Sequence, residues 1–391
     1  MALSVVYLLG RFPVLTEYPV IGEIAAVADL GVEVSVAAIA PTATVAPAGA
    51  DELARRVRYL DVARGYGRAA AGAAGMLTLA ACALTRGDPW RPCVAVPRAF
   101  GHPLAMRWRC ARLARMLETS RADLVHAQFA HLGFLALPAV RKLRLPLVLS
   151  FRGRDLVMVR GVQEEARAAL FDAAGAILAR SEDMRRDLLR LGAPEAKLRV
   201  LPTGVDVRAV PFRERIAPAP EEPVRVLTVA RDTAKKGIED ARAAVEACER
   251  EWRIEWRWLR DASHEEVLRE MQRAHIFLLP SRTAPDGEKE GVPNAIKEAM
   301  AAGLPVISTR HAGIPECVTD GVSGLLAAEG DRDGIAERLR WLLGHPEVWA
   351  AMGRSGRAAI EERYDVRRIA STLVAHYHGL VRAAAGAVRA G

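Results

Sequence analysis

Two glutamates eight positions apart, Glu290 and Glu298, are the residues whose types and spacing first suggest chemistry. They lie in the stretch PDGEKEGVPNAIKEAMAAGLPVIST, residues 285–309, and enclose a Gly-Val-Pro-Asn turn. Carboxylates accept hydrogen bonds from hydroxyl groups, and the free N–H groups and dipole of a helix N-terminus favour phosphate. Acids that flank a helix start are therefore suited to holding sugar hydroxyls beside a phosphate. Taken alone, the stretch still favours a simpler interpretation, two solvated glutamates on a surface helix.

The residues around this pair predict a helix from about Pro293 to Ala302. Proline suits the first turn of a helix, the following residues are strong helix formers, and Gly303 is a plausible stop. The apolar runs HIFLLPS and LPVIST on either side predict buried parallel strands, so the helix would be the crossover of a βαβ unit. Glu290 would then follow a strand, at the edge where such sheets bind ligands.

A second loop, in VARDTAKKG, carries two cations that suit a diphosphate. Arg231 follows a predicted strand, and Lys236 comes five residues later, next to Gly237 at the predicted opening of a helix. A guanidinium can bind phosphate oxygens in a bidentate manner, and an ammonium binds them as a point charge. Without further context, two solvated basic residues in a loop remain an equal alternative.

Apolar runs alternate with helical patterns along the whole chain, which predicts parallel sheets covered by helices on both faces. The segment 208–223 has four prolines and no clear period, so it is predicted to be an interdomain linker. The predicted fold class is α/β, with two Rossmann-like, doubly wound domains facing a cleft. These are an N-terminal domain at 1–207 and a C-terminal domain at 224–365, and a helix at 366–391 is expected to pack back on the N-terminal domain. The predicted strands are LSVVYLL, VEVSVAAIA, LVHAQF, LPLVLSF, AILARS and LRVLPTG, then VRVLTVA, RIEWRWL, IFLLPS, LPVIST and SGLLAA.

The charge of the chain is concentrated in its first half. The 391 residues carry a net charge of +8, and residues 51–150 contain 16 basic but only 6 acidic side chains. This excess suggests an anionic partner such as an acidic lipid surface or a pyrophosphate-linked acceptor, although a diffuse, Arg-rich solvated surface is an equal alternative. Nucleic acid is disfavoured because the basic residues are not interleaved with aromatic residues and no binding motif is present.

Cysteine usage and hydropathy favour a cytoplasmic protein. The five cysteines are odd in number and show no C-x-x-C pair, so neither a disulfide framework nor a zinc site is indicated. The start of the chain lacks the pattern of a signal peptide and is expected to be a first strand. The uncharged run 69–85 is Ala-rich and shorter than the ~20 apolar residues of a membrane span, which predicts a buried or surface-lying helix. The cysteines are Cys82, Cys93, Cys110, Cys248 and Cys317.

Several of these motifs together resemble glycosyltransferase family 4, the retaining enzymes of the GT-B fold. The second half carries the resemblance in ARDTAKKG, FLLPS, EGVPNAIKE with its E-x7-E spacing, EAMAAGLPVIST and HAGIPECVTDGVSGLL. In the first half, RFPVLTEYPVIGEI and LVHAQF...LVLSFRGRDL are similar to the exopolysaccharide branch, of the colanic-acid type. The likeness covers nearly the whole chain in the right order.

The resemblance implies a role for each matching position. Arg231 and Lys236 would hold the donor pyrophosphate, Glu290 and the backbone of 291–294 the donor sugar, and Glu298 the ribose hydroxyls. The acceptor hydroxyl would attack on the face that the diphosphate leaves, and a phosphate oxygen would take its proton, so neither a protein base, a metal nor a cofactor is expected. The implied catalytic residues are Arg231, Lys236 and Glu290, and the implied donor-binding residues are Arg231, Lys236, Glu290, Gly291, Val292, Pro293, Asn294 and Glu298.

The chain also departs from the family pattern. Where the family usually has His-Gly-x-Asp, this chain has Arg152 and Asp155 at the ends of the motif, and Arg cannot act as a titrating group because its pKa is above ~12. His126 matches the first His of a frequent H-x-H, and Gln128 replaces the second. After RIEWRWLR about one helix and one strand are missing, which abbreviates the expected base-binding region. The candidates for the acceptor site or cleft are Thr16, His126, Arg152 and Asp155.

The leading hypothesis is a cytoplasmic, metal-independent retaining hexosyltransferase, with peripheral contact to the inner membrane through its basic N-terminal domain left open. It would use a nucleoside-diphosphate-sugar donor and a glycan, lipid-linked or secondary-metabolite acceptor. A degenerate GT-B protein that binds nucleotide or glycan without transfer is the alternative, motivated by Arg152 and the shortened base region. A basic membrane scaffold is a third hypothesis.

Overall fold

The structure, a computed structural model, describes residues 2–12, 18–42, 53, 56–61 and 103–390. It divides into two compact units. The first unit comprises Met1–Ala179, Asp187–Arg199 and Ala370–Gly391, and the second comprises Arg180–Arg186 and Val200–Ile369. Thr16, Cys82, Cys93 and the uncharged run 69–85 lie outside the described residues.

A seven-stranded parallel sheet forms the first unit's centre, in the order β3-β2-β1-β4-β5-β6-β7. All four residues of β4, β5 and β6 are buried, as expected for strands covered by helices on both faces. Six of the strands coincide with predicted apolar runs, whereas β3 was not predicted. The strands are β1 (Ser4–Phe12), β2 (Glu33–Pro41), β3 (Val57–Tyr59), β4 (Leu124–Ala127), β5 (Leu147–Ser150), β6 (Ala176–Ala179) and β7 (Leu198–Val200).

A five-stranded sheet forms the second unit's centre, in the order β12-β11-β10-β8-β9. Successive strand residues point to opposite faces of the sheet, and the core divides accordingly. Leu227, Phe277 and Val306 belong to one buried cluster, and their neighbours Val226, Ile276 and Ile307 to the other. All five strands were predicted, so the expected fold class of two doubly wound parallel sheets is confirmed. They are β8 (Val224–Val229), β9 (Ile254–Leu259), β10 (Ile276–Leu278), β11 (Val306–Thr309) and β12 (Gly324–Ala327).

Thirteen helices are labelled here along the described part of the chain. Among these residues, no helix combines the length and the apolar character that crossing a bilayer would need. The helices are α1 (Tyr18–Asp29), α2 (Pro103–Ser120), α3 (Gly133–Leu143), α4 (Gly153–Arg160), α5 (Glu164–Ala173), α6 (Glu182–Arg190), α7 (Ile238–Cys248), α8 (His264–Arg273), α9 (Asn294–Ala301), α10 (Ile314–Cys317), α11 (Arg332–Gly344), α12 (Trp349–Arg363) and α13 (Val366–Ala390).

The connection that follows β9 is short. β9 lies at the edge of the second sheet, and residues 260–263, all described, connect it to α8 without a helix or strand of their own. In the second sheet, the chain continues from β8 to β9 on one side and from β10 to β12 on the other, so the strand order reverses between β8 and β10. Loops at the carboxyl ends of strands flanking such a reversal form the usual binding crevice of an open α/β sheet.

Two further segments concern the expected domain boundaries. The segment 208–223 lies within the second unit, where Arg215 is only 3% exposed and donates to the carbonyl oxygens of Ala302 at 2.8 Å and Gln272 at 3.1 Å. A role of this segment as an interdomain linker stays a prediction. Residues of α13 from Ala370 onward belong to the first unit.

Candidate functional site

The loops that follow β8, β10, β11 and β12 all leave the carboxyl edge of the second sheet, because its strands are parallel. The loop after β8 contains Arg231 and Lys236, and the loop after β10 contains Glu290. These three predicted site residues therefore belong to neighbouring loops on either side of the reversal in strand order. Glu298 follows in α9.

The loop after β8 contains a short turn that carries two of its basic residues, Lys235 and Lys236. Residues Ala234–Lys236 form one turn of 3-10 helix, and Gly237 then adopts a left-handed conformation with φ of 64° before α7 begins. A Cβ atom at Gly237 would collide with the carbonyl group of Pro280, so only glycine fits at this position. Arg231 is exposed, and its guanidinium makes neither a hydrogen bond nor an ion pair with the residues that the structure describes.

Two lysines of this turn hold the carboxylate of Glu290. The Nζ atoms of Lys236 and Lys235 lie 3.0 Å and 3.1 Å from Glu290 Oε1, and Lys235 Nζ also lies 2.6 Å from Glu288 Oε1. Burial would raise the pKa of Glu290, but the charges of Lys236 and Lys235 outweigh burial and lower the pKa to about 2. Glu290 is therefore an anion at any physiological pH.

Lys235 was not among the predicted site residues. Its side chain is largely buried, and burial would lower its pKa, but Glu290 and Glu288 reverse this effect and raise the pKa above the ordinary value. It remains an ammonium ion in the folded protein. The only signal in the sequence is its position beside Lys236.

The backbone at Glu290 and Gly291 is fixed by the loop after β11. The N–H of Glu290 donates to His311 Nε2 at 3.0 Å, and the Gly291 carbonyl oxygen accepts from the N–H of Gly313 at 3.2 Å. A Cβ atom on Gly313 would approach that carbonyl oxygen to 3.0 Å and Ser181 Cβ to 2.7 Å. His311 was also missed by the sequence analysis.

The helix after this loop has the predicted form. α9 spans Asn294–Ala301 with Pro293 as its N-cap, and Gly303 follows its C-terminus with φ of 85°. The first N–H groups of a helix have no partner within it, so those of Asn294 and Ala295 are available to an anion.

Glu298 lies inside α9 as a buried acid. It is 3% exposed, and burial raises its pKa to about 8, so the carboxyl group is mostly protonated at neutral pH. His264 Nε2 is 4.0 Å from Glu298 Oε1, and burial lowers the pKa of this histidine. Both groups are then neutral, and a carboxylic acid of this kind can donate as well as accept a hydrogen bond.

In the first unit, His126 belongs to a buried polar chain. Its Nδ1 lies 2.5 Å from the hydroxyl of Tyr377, which lies 2.8 Å from the hydroxyl of Tyr7, and its Nε2 lies 2.7 Å from Ser150 Oγ. These contacts explain a histidine at the end of β4 by packing alone. A role in acceptor binding stays a prediction.

Asp155 and Arg152 lie at the start of α4. Asp155 is buried and accepts hydrogen bonds from the N–H of Arg152 at 2.9 Å and from His131 Nδ1 at 2.8 Å. The aspartate therefore stabilises the N-terminus of α4, where negative charge is favourable. Arg152 is partly exposed, and its guanidinium donates to the carbonyl oxygen and the side chain of Gln128.

Two family profiles match the chain: Glycosyltransferase Family 4 matches residues 24–209, and Glycosyl transferases group 1 matches residues 197–345. The amylovoran biosynthesis glycosyltransferase AmsK of Erwinia amylovora is 32% identical over 278 residues, 62% of this chain and 67% of AmsK. The putative colanic acid biosynthesis glycosyltransferase WcaL of Salmonella typhimurium is 33% identical over 306 residues, 64% of this chain and 72% of WcaL. The chain belongs to glycosyltransferase family 4.

The fold of this family 4 glycosyltransferase is found in solved structures. HepE of Anabaena in complex with UDP has a TM-score of 0.67 at 16% identity, over 96% of this chain and all of HepE. Its complex with UDP-glucose has a TM-score of 0.65 at 17% identity, over 95% of this chain and 99% of HepE. At this identity the likeness shows the fold alone, and that fold is GT-B. The predicted family, its exopolysaccharide branch and the fold class are confirmed.

Proposed function

We propose that this glycosyltransferase is a retaining enzyme that transfers a hexose from a nucleoside-diphosphate hexose to a glycan or lipid-linked acceptor during polysaccharide assembly. The observation that supports this most directly is the charge arrangement in the second unit. An exposed guanidinium, Arg231, and the Lys236 ammonium lie in one loop, and the Glu290 carboxylate of the next loop is 3.0 Å from Lys236 Nζ. The names of AmsK and WcaL place those relatives in polysaccharide biosynthesis.

The cations of the loop after β8 would bind the donor diphosphate. Arg231 is not engaged with a described residue, so it can form a bidentate contact without first breaking an ion pair. Lys236 would contact the same group, and the N-terminus of α9 adds backbone donors. Together they would stabilise the negative charge that grows on the leaving nucleoside diphosphate, which is the main barrier-lowering effect expected here.

The two acids would bind the two sugars of the donor. Glu290 is anionic and held by lysines, so it is a fixed acceptor for hydroxyls of the transferred sugar, beside the backbone of 291–294. Glu298 is neutral near pH 7 and can both donate to and accept from the ribose hydroxyls. The two roles differ because the pKa of Glu290 is lowered, which keeps it an anion, and the pKa of Glu298 is raised, which keeps it neutral.

The proposed reaction needs no protein base. The bond between the anomeric carbon and the diphosphate oxygen breaks, and the acceptor oxygen forms its new bond on the same face. The acceptor proton passes to an oxygen of the departing diphosphate. Arg231 and Lys236 supply the compensating positive charge, and we propose no metal or cofactor.

The first unit would bind the acceptor. Arg152 offers a fixed positive charge, and the excess of basic residues in 51–150 favours an anionic acceptor such as a lipid pyrophosphate. Contact with the surface of the inner membrane from the cytoplasm follows from the same charge. A small secondary-metabolite acceptor is the alternative within this proposal.

A second candidate is a GT-B protein that binds the nucleotide or the glycan without transferring a sugar. The specific observation behind it is Arg152, which replaces a histidine of the usual family pattern and cannot exchange a proton near neutral pH. The short connection at 260–263 points in the same direction, because the family resemblance implies an abbreviated nucleotide base site there.

A thermal-shift screen with UDP, GDP, ADP, TDP and their sugars tests the donor, because a ligand of the folded state raises the melting temperature. UDP-glucose is the first choice, given the HepE complexes. The sugar that stabilises the protein is then assayed for hydrolysis and transfer, with and without EDTA. Turnover that survives EDTA and is lost in Glu290→Ala supports the enzyme, whereas tight nucleotide binding without turnover supports the binding protein.

A further inference from the structure

His311, in the loop after β11, is fully buried at the carboxyl edge of the second sheet. Its Nε2 accepts the N–H of Glu290 at 3.0 Å, and its Nδ1 lies 2.8 Å from Glu329 Oε1, in the loop after β12. The imidazole therefore connects a surface carboxylate to the backbone of the residue proposed to bind the donor sugar.

These two contacts fix the tautomer of His311. A backbone N–H can only donate, so Nε2 must carry the lone pair and the ring proton lies on Nδ1. That proton is donated to the Glu329 carboxylate. Burial would raise the pKa of Glu329, but hydrogen bonds from the N–H of Thr283 and from His311 outweigh burial and lower it, so the acceptor is an anion.

The same carboxylate also holds the start of the loop after β10. Glu329 Oε2 accepts from the N–H of Thr283 at 2.8 Å and from its hydroxyl at 3.0 Å. Glu329 thus binds one end of the segment 283–290 directly and the other end through His311. The segment between these ends carries Glu288, which pairs with Lys235.

The turn that presents His311 is itself strained. Ala312 has φ of 45°, in the left-handed region that a residue with a Cβ atom enters only at some cost. It is held there by the N–H of Ile314, which donates to the His311 carbonyl oxygen at 2.9 Å, and by the contact of Gly313 with Gly291.

We propose that His311 and Glu329 are positioning residues of the donor site. They hold the segment 283–291 in the shape that keeps the Glu290 carboxylate between its lysines and directed to the transferred sugar. The inference rests on the proposed function for the role of Glu290. The proposed role of His311 and Glu329 is in binding of the transferred sugar. Binding of the diphosphate is assigned to Arg231 and Lys236.

Three variants separate the parts of this arrangement. His311→Leu removes the acceptor for the Glu290 N–H, whereas His311→Gln places an amide oxygen near the position of Nε2. Glu329→Gln keeps the shape but sets an amide donor against either Thr283 or the Nδ1 proton. The matched control is His275→Leu, because His275 Nδ1 also accepts a backbone N–H, that of Arg225 at 2.9 Å, at the opposite end of the sheet.

The expected result is a loss of kcat by about tenfold to a hundredfold in His311→Leu and Glu329→Gln, as for a misplacement of about 1 Å. His311→Gln should recover most of this loss. The affinity for the nucleoside diphosphate should stay within about twofold of wild type in all three variants, because the side chains of Arg231 and Lys236 are unchanged. Wild-type kcat in His311→Leu, or an equal loss in His275→Leu, would overturn the proposal.

Amide hydrogen exchange of the segment 283–292 tests the positioning without turnover. Exchange should be faster in His311→Leu and Glu329→Gln than in wild type, and unchanged in His275→Leu. Unaltered exchange in His311→Leu would refute the positioning role. If wild-type protein transfers no sugar from any donor, the proposed function fails, and the exchange result still decides whether His311 and Glu329 hold this segment.

Discussion

The guanidinium of Arg152 is bonded to Gln128: its Nε donates to the Gln128 carbonyl oxygen at 3.2 Å, and its Nη2 to the side-chain Oε1 at 3.0 Å. It also lies over the ring of Phe129, 5.4 Å from the centroid. The amide of Gln128 donates in turn to the buried carboxylate of Glu23 at 2.5 Å. The two positions at which the chain departs from the histidines of its family are therefore in contact, and Arg152 is a fixed cation.

Arg152→Ala is expected to lower transfer by about 10- to 100-fold, because the fixed positive charge that we propose attracts an anionic acceptor is lost. The affinity for the nucleoside diphosphate should stay close to wild type, since its proposed ligands belong to the second unit. Steady-state kinetics and calorimetry measure the two quantities. Arg154→Ala removes an exposed cation of the same helix and is the control. Equal losses in both variants would mean that Arg152 contributes only net charge.

Glu290→Gln should separate binding of the nucleotide from transfer of the sugar. The carboxylate lies 3.0 Å from Lys236, so it competes with phosphate for that ammonium group. Without the charge, we expect unchanged or severalfold tighter binding of the nucleoside diphosphate and a loss of transfer by about 100-fold or more. Titration calorimetry and donor turnover provide the measurements.

Glu288→Gln is the matched control for this variant, because Glu288 pairs with Lys235 at 2.6 Å while Glu290 pairs with both lysines. It should retain most of the transfer activity. If Glu288→Gln and Glu290→Gln behave alike, or if Glu290→Gln strongly weakens binding of the nucleoside diphosphate, Glu290 does not have the role assigned to it.

The pKa of Glu298 predicts a dependence of stability on pH. Because burial raises this pKa from 4.5 to about 8, the folded state retains a proton that the unfolded state releases above pH 4.5. The contribution of Glu298 to the free energy of unfolding therefore falls as pH rises through this interval and is constant above it. Glu298→Gln stays neutral, so it should match wild type near pH 5 and exceed it by roughly 2–4 kcal/mol at pH 8.5.

Urea unfolding of both proteins at pH 5, 7 and 8.5 measures this difference, and the exposed Glu265→Gln serves as the control. A difference between Glu298→Gln and wild type that does not change with pH would show that the carboxyl group is not protonated in the folded protein. Glu298→Ala, which removes both the donor and the acceptor, should weaken nucleoside binding at every pH if the ribose assignment is right.

Helices and strands were predictable from the sequence where neighbouring residues alone determine them. Buried parallel strands such as β4 and β5 are continuous apolar runs, and α9 carries its own boundaries in Pro293 and Gly303. β3 was missed because it has three residues, none fully buried, and is defined by its pairing with β2.

Site residues that have a role in a family motif were predicted, whereas residues whose role depends on contacts distant in sequence were missed. Glu290, Arg231 and Lys236 stand in recognisable positions. Lys235 and His311 also lie within quoted motifs, ARDTAKKG and HAGIPECVTDGVSGLL, but they were given no role there. Their contacts depend on Glu288, 53 residues away from Lys235, and on the Glu290 N–H, 21 residues away from His311. For His311 the sequence signals are its position two residues after a buried strand and at the start of HAGIPECVTDGVSGLL.

Tyr377→Phe tests the polar chain that joins α13 to the first sheet. The hydroxyl bonds both His126 and Tyr7, and all three residues are fully buried, so its removal should cost about 1–3 kcal/mol of unfolding free energy. Urea unfolding measures the loss. Tyr59→Phe, which removes one partly buried bond to the Phe12 carbonyl oxygen, should cost less. A loss no larger than that of Tyr59→Phe would show that the chain adds nothing beyond an ordinary hydrogen bond.

Arg231→Ala and Lys236→Ala test the phosphate assignment on which the proposed function depends. Each should weaken binding of the nucleoside diphosphate by about 1.5–3 kcal/mol, the value of a charged hydrogen bond, and leave the free nucleoside nearly unaffected. Arg231 should show the cleaner effect, because its guanidinium is exposed and unengaged with described residues, whereas Lys236→Ala also removes a partner of Glu290. Calorimetry with both ligands measures the difference, and Arg250→Ala, an exposed cation just after the end of α7, is the control. Equal losses for the nucleoside and its diphosphate would mean that these cations do not contact phosphate, because a contact to the base or ribose affects both ligands alike.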